Sequence, residues 1–260
     1  GRIFTKCQLR EAKLPQNLST TQFLQCDLSL CDLRSNDITD TVFTRSKMDD
    51  VQFPQQAVFV QKDFSHQDLS NQKLSGYKFN ESKLDETKLP QDLTGCHFTT
   101  CELKKQDFSQ CCLSGSQFSG SELTETTLPQ DAEDCKLSQC KISHCDLSQC
   151  NLSLCKLSEV QFVETKLEGT KLPQDLNSCE FTQCTVSQQD FSKTKLGNCK
   201  FSSCTLLRCD LGQIDFSQCK LSGCQFSDCK LEGTKLPQDL SGCQFAQCDL
   251  SQFDFSQCKL

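Results

Sequence analysis

The chain has 260 residues, a net charge of −7, 36% hydrophobic residues and a mean hydropathy of −0.47. This apolar content is low for a compact globule of that length, but it suits a solenoid, which buries only a narrow apolar channel. The negative charge disfavours a nucleic-acid binder, which would present a basic face. No apolar run is long enough for a membrane span.

A five-residue repeat organises the sequence and is plain at 135–157, which reads CKLSQ CKISH CDLSQ CNLSL CKL. The large apolar residue of each unit is called its centre. A period of five does not fit a helix face, where apolar residues recur every three or four positions. Three residues around each centre are expected to be extended and to point in, out and in, because side chains alternate along a strand. The other two residues turn a corner, so each unit forms one side of a coil.

Taken from the N-terminus, the centres begin at Phe4 and end at Leu260, mostly in steps of five residues. The irregular steps are one long step, FPQQAVF, and several short ones, many of which read Leu-Pro-Gln. They lie near 14–18, 53–59, 89–93, 128–132, 172–176 and 236–240. Proline in a short step, as in Pro90 or Pro173, fixes φ and removes one N–H where the side is shortened.

The phenylalanines indicate how many sides a coil has. Eighteen of the 19 are centres, and nine pairs of them are four units apart, against three pairs each at three and five units. We therefore expect a four-sided coil of about twenty residues, in which each irregular step still counts as one side. The prediction is an all-β solenoid of about 13 four-sided coils that forms a single domain over 1–260.

Units such as CDLSQ (145–149) and CQFSD (224–228) resemble those of pentapeptide-repeat proteins, which run small, polar, Leu or Phe, Ser or Thr, variable. The resemblance covers essentially the whole chain. It implies a right-handed quadrilateral parallel β-helix. The chain departs from the usual pattern by using cysteine where alanine is commoner, and by its recurring Leu-Pro-Gln corners.

The position of the 23 cysteines argues against a disulfide framework. All but Cys112 lie two residues before a centre, where a small inward filler is needed. Stacked cysteines such as Cys179 and Cys199 would lie about 4.8 Å apart, whereas the Cβ atoms of a disulfide prefer roughly 3.5–4.5 Å. We expect free thiols and a reducing, cytoplasmic compartment; a bridged protein in an oxidising compartment is the alternative.

Residues with catalytic or metal-binding chemistry do not form a recognisable site. The cysteines fall on successive sides instead of forming the close pairs that zinc favours. His144 precedes Cys145, but the pattern turns Cys145 inward and puts His144 at a corner, which disfavours a nucleophile–base pair. There is no Gly-rich phosphate loop. We expect no catalytic residue, no cofactor, no metal and no enzymatic activity.

One coil breaks the inward rule. Where other coils place mostly Cys, Ser, Thr or Val, the inward positions after the long step hold Lys62, Gln67, Gln72 and Tyr77. This is either a tolerated packing defect or a binding site, and these four are the candidate binding residues. A backbone bulge at 54–57 is expected to carry Lys62 to the surface, because a buried ammonium is costly.

The leading functional hypothesis is a non-enzymatic, rod-shaped interaction module or scaffold, complete in itself or part of a larger protein. Its partner would be an unknown protein, with no direct nucleic-acid binding and no membrane span. The family resemblance implies an alternative, a DNA-mimicking modulator of DNA gyrase or topoisomerase. Duplex DNA carries one charge per roughly 1.7 Å, so a net charge of −7 argues against that alternative.

Overall fold

The computed structural model describes residues 1–55 and 57–260. The chain divides into two compact units, Gly1–Pro129 and Gln130–Leu260. Both are parallel β-solenoids built from three-residue strands, and together they contain about 12 turns. The described residues form no helix, and hence none that could cross a membrane.

The strands of the first unit are β1 (Ile3–Thr5), β2 (Gln22–Leu24), β3 (Val58–Val60), β4 (Lys78–Asn80), β5 (His97–Thr99), β6 (Gln117–Ser119) and β7 (Glu122–Thr124). Those of the second unit are β8 (Lys136–Ser138), β9 (Lys141–Ser143), β10 (Lys156–Ser158), β11 (Gln161–Val163), β12 (Glu180–Thr182), β13 (Thr185–Ser187), β14 (Lys200–Ser202), β15 (Thr205–Leu207), β16 (Lys220–Ser222), β17 (Gln225–Ser227) and β18 (Gln244–Ala246). In β2 through β17 the central residue of each strand is buried.

The register in the first unit confirms the predicted stacking. Strands β3, β4, β5 and β6 pair in parallel and align four phenylalanine centres, Phe59, Phe79, Phe98 and Phe118. Their rings stack with centroids 4.8–5.3 Å apart. The short step at 89–93 lies between Phe79 and Phe98, and the alignment is kept across it. A short step therefore counts as one side.

The second unit shows the sides of the coil separately. One side holds β9, β11, β12, β14 and β16, and another holds β13, β15, β17 and β18. A third side contains the paired strands β8 and β10. The remaining side is a ladder of isolated bridges such as Asp190 to Asp210 to Lys230. The predicted four-sided parallel coil is confirmed.

The inward position two residues before a centre supplies hydrogen bonds as well as bulk. The Cys199 thiol donates to the Leu176 carbonyl (3.0 Å), and the Thr87 hydroxyl donates to the Phe64 carbonyl (2.8 Å). Each bond joins one coil to the next and satisfies a buried carbonyl. Cysteine, serine and threonine therefore share this position because each is small and carries a donor. The sequence indicated only the small size.

The corners use left-handed backbone at the second residue after a centre. Among the described residues, thirty non-glycine residues take positive φ there, including Leu30 (φ 62°) and Asp50 (φ 55°), as does Gly115 (φ 68°). Where the outward residue is aspartate, its carboxylate also stabilises the turn. Asp190 accepts hydrogen bonds from the Ser192 N–H (2.9 Å) and hydroxyl (2.6 Å), and these bonds lower the pKa of Asp190.

Outward charges pair from one coil to the next. Lys230 lies 3.1 Å from Asp210 in the second unit, and Lys88 lies 3.3 Å from Asp68 in the first. These pairs are solvent-exposed, so each contributes only about 0–1 kcal/mol. Their main effect is to mix the two signs of charge along a face.

All 23 cysteines lie among the described residues, and none of them forms a disulfide. Cys112 is exposed, most of the others are buried, and four are half-buried: Cys7, Cys243, Cys248 and Cys258. Burial raises the pKa of Cys96 to about 11 and that of Cys199 to about 12. Buried thiols such as these two are therefore poor nucleophiles near neutral pH.

Candidate binding site at an interrupted coil

At one level of the first unit, the described residues lack the backbone ladder on every side of the coil. Below the interruption, Asp32 pairs with Gln52, and the Gln52 N–H donates to the Cys31 carbonyl (3.0 Å). Above it, β3 pairs with β4. Between the coil 37–53 and the coil 57–74, the described residues make no backbone–backbone hydrogen bond. We call this gap the ladder break.

The ladder break leaves strand edges facing each other without partners. On one edge these are the Phe53 N–H and the Val51 carbonyl, and on the other they are the N–H and carbonyl of Lys73. None of the four makes a backbone hydrogen bond to any described residue. In the regular coil below, the corresponding bond joins the Leu33 N–H to the Gln52 carbonyl at 2.8 Å.

Two side-chain hydrogen bonds cross the ladder break within the described part of the chain. The Lys62 ammonium donates to the Thr41 carbonyl, and the Tyr77 hydroxyl donates to the Pro54 carbonyl (2.7 Å). In regular coils a much shorter side chain makes the bond to the neighbouring coil. The Ser46 hydroxyl, for example, donates to the Phe23 carbonyl (3.0 Å). Because Lys62 and Tyr77 are far longer, they occupy the space that the ladder would otherwise close.

The predicted position of Lys62 was wrong. The side chain is 4% exposed, and the Lys62 backbone N–H donates to the Ser82 hydroxyl (3.1 Å). The ammonium turns into the ladder break and finds the Thr41 carbonyl there, so no outward bulge is needed to solvate it. Burial lowers the pKa of Lys62, and the nearby Asp40 carboxylate partly opposes that effect. The bulge expected at 54–57 includes Gln56, which lies outside the described residues.

The other three candidate residues lie on the three following sides, Gln67 and Gln72 in the coil 57–74 and Tyr77 at the start of the next coil. Gln67 is half-buried, and Gln72 and Tyr77 are 9% and 5% exposed. The Tyr77 ring packs 5.9 Å from that of Phe59. The Gln72 side-chain amide makes no hydrogen bond to any described residue, although the side chain is nine-tenths buried. The four residues therefore lie on four consecutive sides without converging on one point.

A cleft of about 610 Å³ opens at the ladder break. Gln72 and Tyr77 line it, together with residues from both sides of the ladder break: Arg34, Asp50, Val51, Gln52, Phe53, Gln55, Asn71, Lys73 and Ser75. Arg34 is already held by Asp32, with Nη2 2.6 Å from Oδ2. Asp50 and Lys73 have no ion-pair partner among the described residues. Sequence reasoning missed both, because each has an ordinary place in the repeat.

Chemistry elsewhere in the described residues is sparse. No group of three or more His, Cys, Asp or Glu side chains there has an arrangement that could hold a metal ion. His144 is exposed, with Nδ1 3.3 Å from Glu164 Oε2. Cys145 is buried, and its thiol donates to the Ser143 carbonyl (3.3 Å). The two neighbours have separate partners, as the repeat predicted.

Comparison with solved structures found pentapeptide-repeat proteins of low sequence identity. A trypsin-treated form of QnrB1, a plasmid-mediated fluoroquinolone resistance protein, is 16% identical and has a TM-score of 0.31; the match covers 90% of this chain and 89% of that one. HetL, a pentapeptide-repeat protein involved in heterocyst differentiation regulation in the cyanobacterium Nostoc sp. strain PCC 7120, is 16% identical over 93% and 84%, with a TM-score of 0.19. Scores this low support no conclusion about function.

Family models give a more direct result. One, the pentapeptide repeat region, matches residues 91–172; another, pentapeptide repeats (8 copies), matches residues 199–236 and 239–260. No curated protein matches the chain. The matched ranges cover more than half of the sequence and carry the same five-residue units whose stacking the structure shows. The chain belongs to the pentapeptide-repeat family.

Proposed function

We propose that this chain is a non-enzymatic protein–protein interaction module, a scaffold in itself or a domain of a larger protein, which contacts its partner at the ladder break. The observation that carries the proposal is the interrupted ladder with its cleft. Regular coils repeat the same features at every level. Among the described residues, the ladder break instead combines unpaired backbone groups, an amide side chain without a hydrogen-bond partner and two unpaired charges at one level of the first unit.

Exposed apolar residues beside the ladder break support this proposal. Val58 and Val60 flank the buried centre of β3 and are 50% and 40% exposed. The neighbouring strand β4 places Lys78 and Asn80 at the same positions. Apolar side chains next to a polar cleft suit an interface, whose core is apolar and whose rim is polar.

The DNA-mimic alternative has no comparable support in the structure. Such a mimic needs a dense, uncompensated acidic face. Here outward carboxylates pair with lysines one coil away, as Asp215 does with Lys235 (3.3 Å). The cleft itself contains one unpaired acid, Asp50, and one unpaired base, Lys73. We therefore retain a protein partner recognised by mixed polar and apolar contacts.

Site-specific photo-crosslinking tests the proposal. A benzophenone amino acid is placed at Val58, beside the ladder break, or at Lys156, an exposed position in the regular strand β10. In cells that express the chain, we expect one discrete partner to crosslink to position 58 at least about tenfold more than to position 156. Replacing both Asp50 and Lys73 by alanine should remove that product. Equal crosslinking at the two positions, or indifference to the double replacement, would contradict a contact at the ladder break.

A further inference from the structure

We infer that the cleft at the ladder break binds an extended peptide segment, which adds as a β-strand to the interrupted side of the coil. This inference rests on the proposed function, because it specifies the chemistry of the protein partner. It assigns the main contact to the partner's backbone, with side chains in a secondary role.

The first argument is the set of unpaired backbone groups. A strand edge with free N–H and carbonyl groups is a template for another strand. The coil below the ladder break offers the Phe53 N–H and the Val51 carbonyl, and the coil above offers both groups of Lys73. All of these belong to residues that line the cleft. An extended segment supplies donors and acceptors in alternation and can therefore bond to either edge.

The second argument is the side chain of Gln72. It is nine-tenths buried, lines the cleft and makes no side-chain hydrogen bond to a described residue. Its amide atoms stay accessible from the cleft, where they can bond to an added strand. Two inward glutamines of other coils do find partners: Gln106 donates to the Thr87 carbonyl, and Gln189 donates to the Leu167 carbonyl (3.3 Å). An amide both donates and accepts, so Gln72 matches a peptide group of an added strand.

The third argument is the size and charge of the cleft. Its volume of about 610 Å³ falls within the roughly 300–1,000 Å³ typical of ligand pockets. The exposed Asp50 and Lys73 lack ion-pair partners among the described residues, so the cleft offers one anionic and one cationic contact. A peptide with a basic and an acidic side chain complements both. Nucleic acid would be repelled by Asp50, and its phosphates only accept hydrogen bonds, so they would leave the Val51 and Lys73 carbonyls without donors.

The test uses the full chain and a phage-displayed library of random short peptides as the probe. Enriched peptides are synthesised in three forms, one unmodified and two N-methylated at alternate residues, one in each register; N-methylation removes backbone N–H donors without changing charge. We expect N-methylation in one of the two alternating registers to weaken binding by at least about tenfold. We also expect the unmodified peptide to protect the Phe53 and Lys73 amides from hydrogen exchange.

Two variants locate the binding. Gln72→Leu keeps the side-chain bulk and removes the amide. It should weaken peptide binding by about tenfold. Gln67→Leu is the matched control, because Gln67 lies in the same coil but on another side. The peptide affinity of this variant should stay within about twofold of that of the wild type. Circular dichroism establishes that both variants are folded.

Three results would overturn the inference. One is a library that yields no peptide sensitive to Gln72→Leu. Another is binding that tolerates N-methylation in both registers, which would assign recognition to side chains. The third is self-association of the free chain that Gln72→Leu abolishes, which would assign the cleft to a second copy. If the Val58 crosslink persists in any of these cases, the interaction module stands and only its peptide-strand chemistry fails.

Discussion

At the scale of single residues, Lys62 shows how one side chain changes a uniform repeat. Its position normally holds a short side chain that bonds to a carbonyl of the neighbouring coil, as Thr41 does with Leu18 (2.9 Å). Lysine can satisfy a carbonyl only from further away, and here its ammonium reaches Thr41 across the ladder break. The residue is thus accommodated at the cost of a desolvated charge.

Removing that charge should stabilise the protein. Replacing Lys62 by Met should raise the free energy of unfolding at neutral pH by about 1–3 kcal/mol, because an apolar side chain of similar length carries no desolvation cost. Urea denaturation provides the measurement. Lys156→Met, at an exposed position, is the control and should have little effect.

The same residue sets an expected pH dependence. The folded-state pKa of Lys62 is lowered from 10.5 by burial. Between that lowered pKa and 10.5 the unfolded state binds more protons than the folded state, so stability should rise with pH across this window. Lys62→Met should lack this rise when compared with wild type over the same range. A parallel pH profile in the two proteins would show that Lys62 is neutral or well solvated.

Thiol accessibility is a second prediction at the residue scale. In native protein a thiol reagent should react rapidly with Cys112, slowly with the four half-buried cysteines, and very little with the rest. Burial and the raised pKa values, about 11 for Cys179 and about 12 for Cys155, both slow the reaction. After unfolding without reductant, nearly all 23 should react. Recovery of only a few would mean that disulfides form and that the compartment is oxidising.

At the scale of the element, the coil is held together by two sets of bonds. The backbone ladder runs along each side, and the inward hydroxyls and thiols add a second bond to the neighbouring coil, as Ser116 does with Leu93 (2.7 Å). The coil 57–74 loses the ladder on its lower edge. Its amides there should consequently be among the least protected in the first unit.

Restoring short inward side chains should repair this coil. The triple variant with Lys62→Cys, Gln67→Ala and Gln72→Cys should raise the thermal midpoint and slow amide exchange at Phe53 and Lys73, because the two coils can then pair. Hydrogen exchange with mass spectrometry follows the change, and the regular coils around Leu147 and Leu211 are the internal reference. If the wild-type coil 57–74 already exchanges as slowly as those two, the ladder break is closed in solution and the candidate site fails.

At the scale of the whole molecule, the distribution of charge bears on function. A net charge of −7 is spread over faces on which Asp and Glu are mixed with Lys, as in the pairs Lys83–Glu102 and Lys259–Asp239. Such a surface lacks the charge density of duplex DNA. The chain should therefore neither inhibit DNA gyrase nor protect it from quinolones at submicromolar concentration in a supercoiling assay. Activity in that assay would restore the DNA-mimic alternative.

The number of cooperative units is the second prediction at this scale. The sequence predicts one domain over 1–260, and contacts group the chain into Gly1–Pro129 and Gln130–Leu260. Tyr77 is the sole tyrosine and there is no tryptophan, so its fluorescence follows the first unit alone. Far-UV circular dichroism follows both units. We expect the two thermal transitions to coincide; a clear separation between them would show two independently folding domains.

The sequence by itself determined the fold because the repeat is local and redundant. Alternation of side chains sets three extended residues per unit, and the stacking of phenylalanines such as Phe79 on Phe98 sets four units per coil. The same pattern singled out Lys62, Gln67, Gln72 and Tyr77, because they are long where inward side chains are normally short. Only the tertiary structure decided where these long side chains lie. A long inward side chain can turn outward or enter the neighbouring coil, and the carbonyl that satisfied Lys62 belongs to a residue about one coil earlier, Thr41. Asp50 and Lys73 likewise line the same cleft only because one coil stacks on the next and the backbone ladder between the two coils is missing.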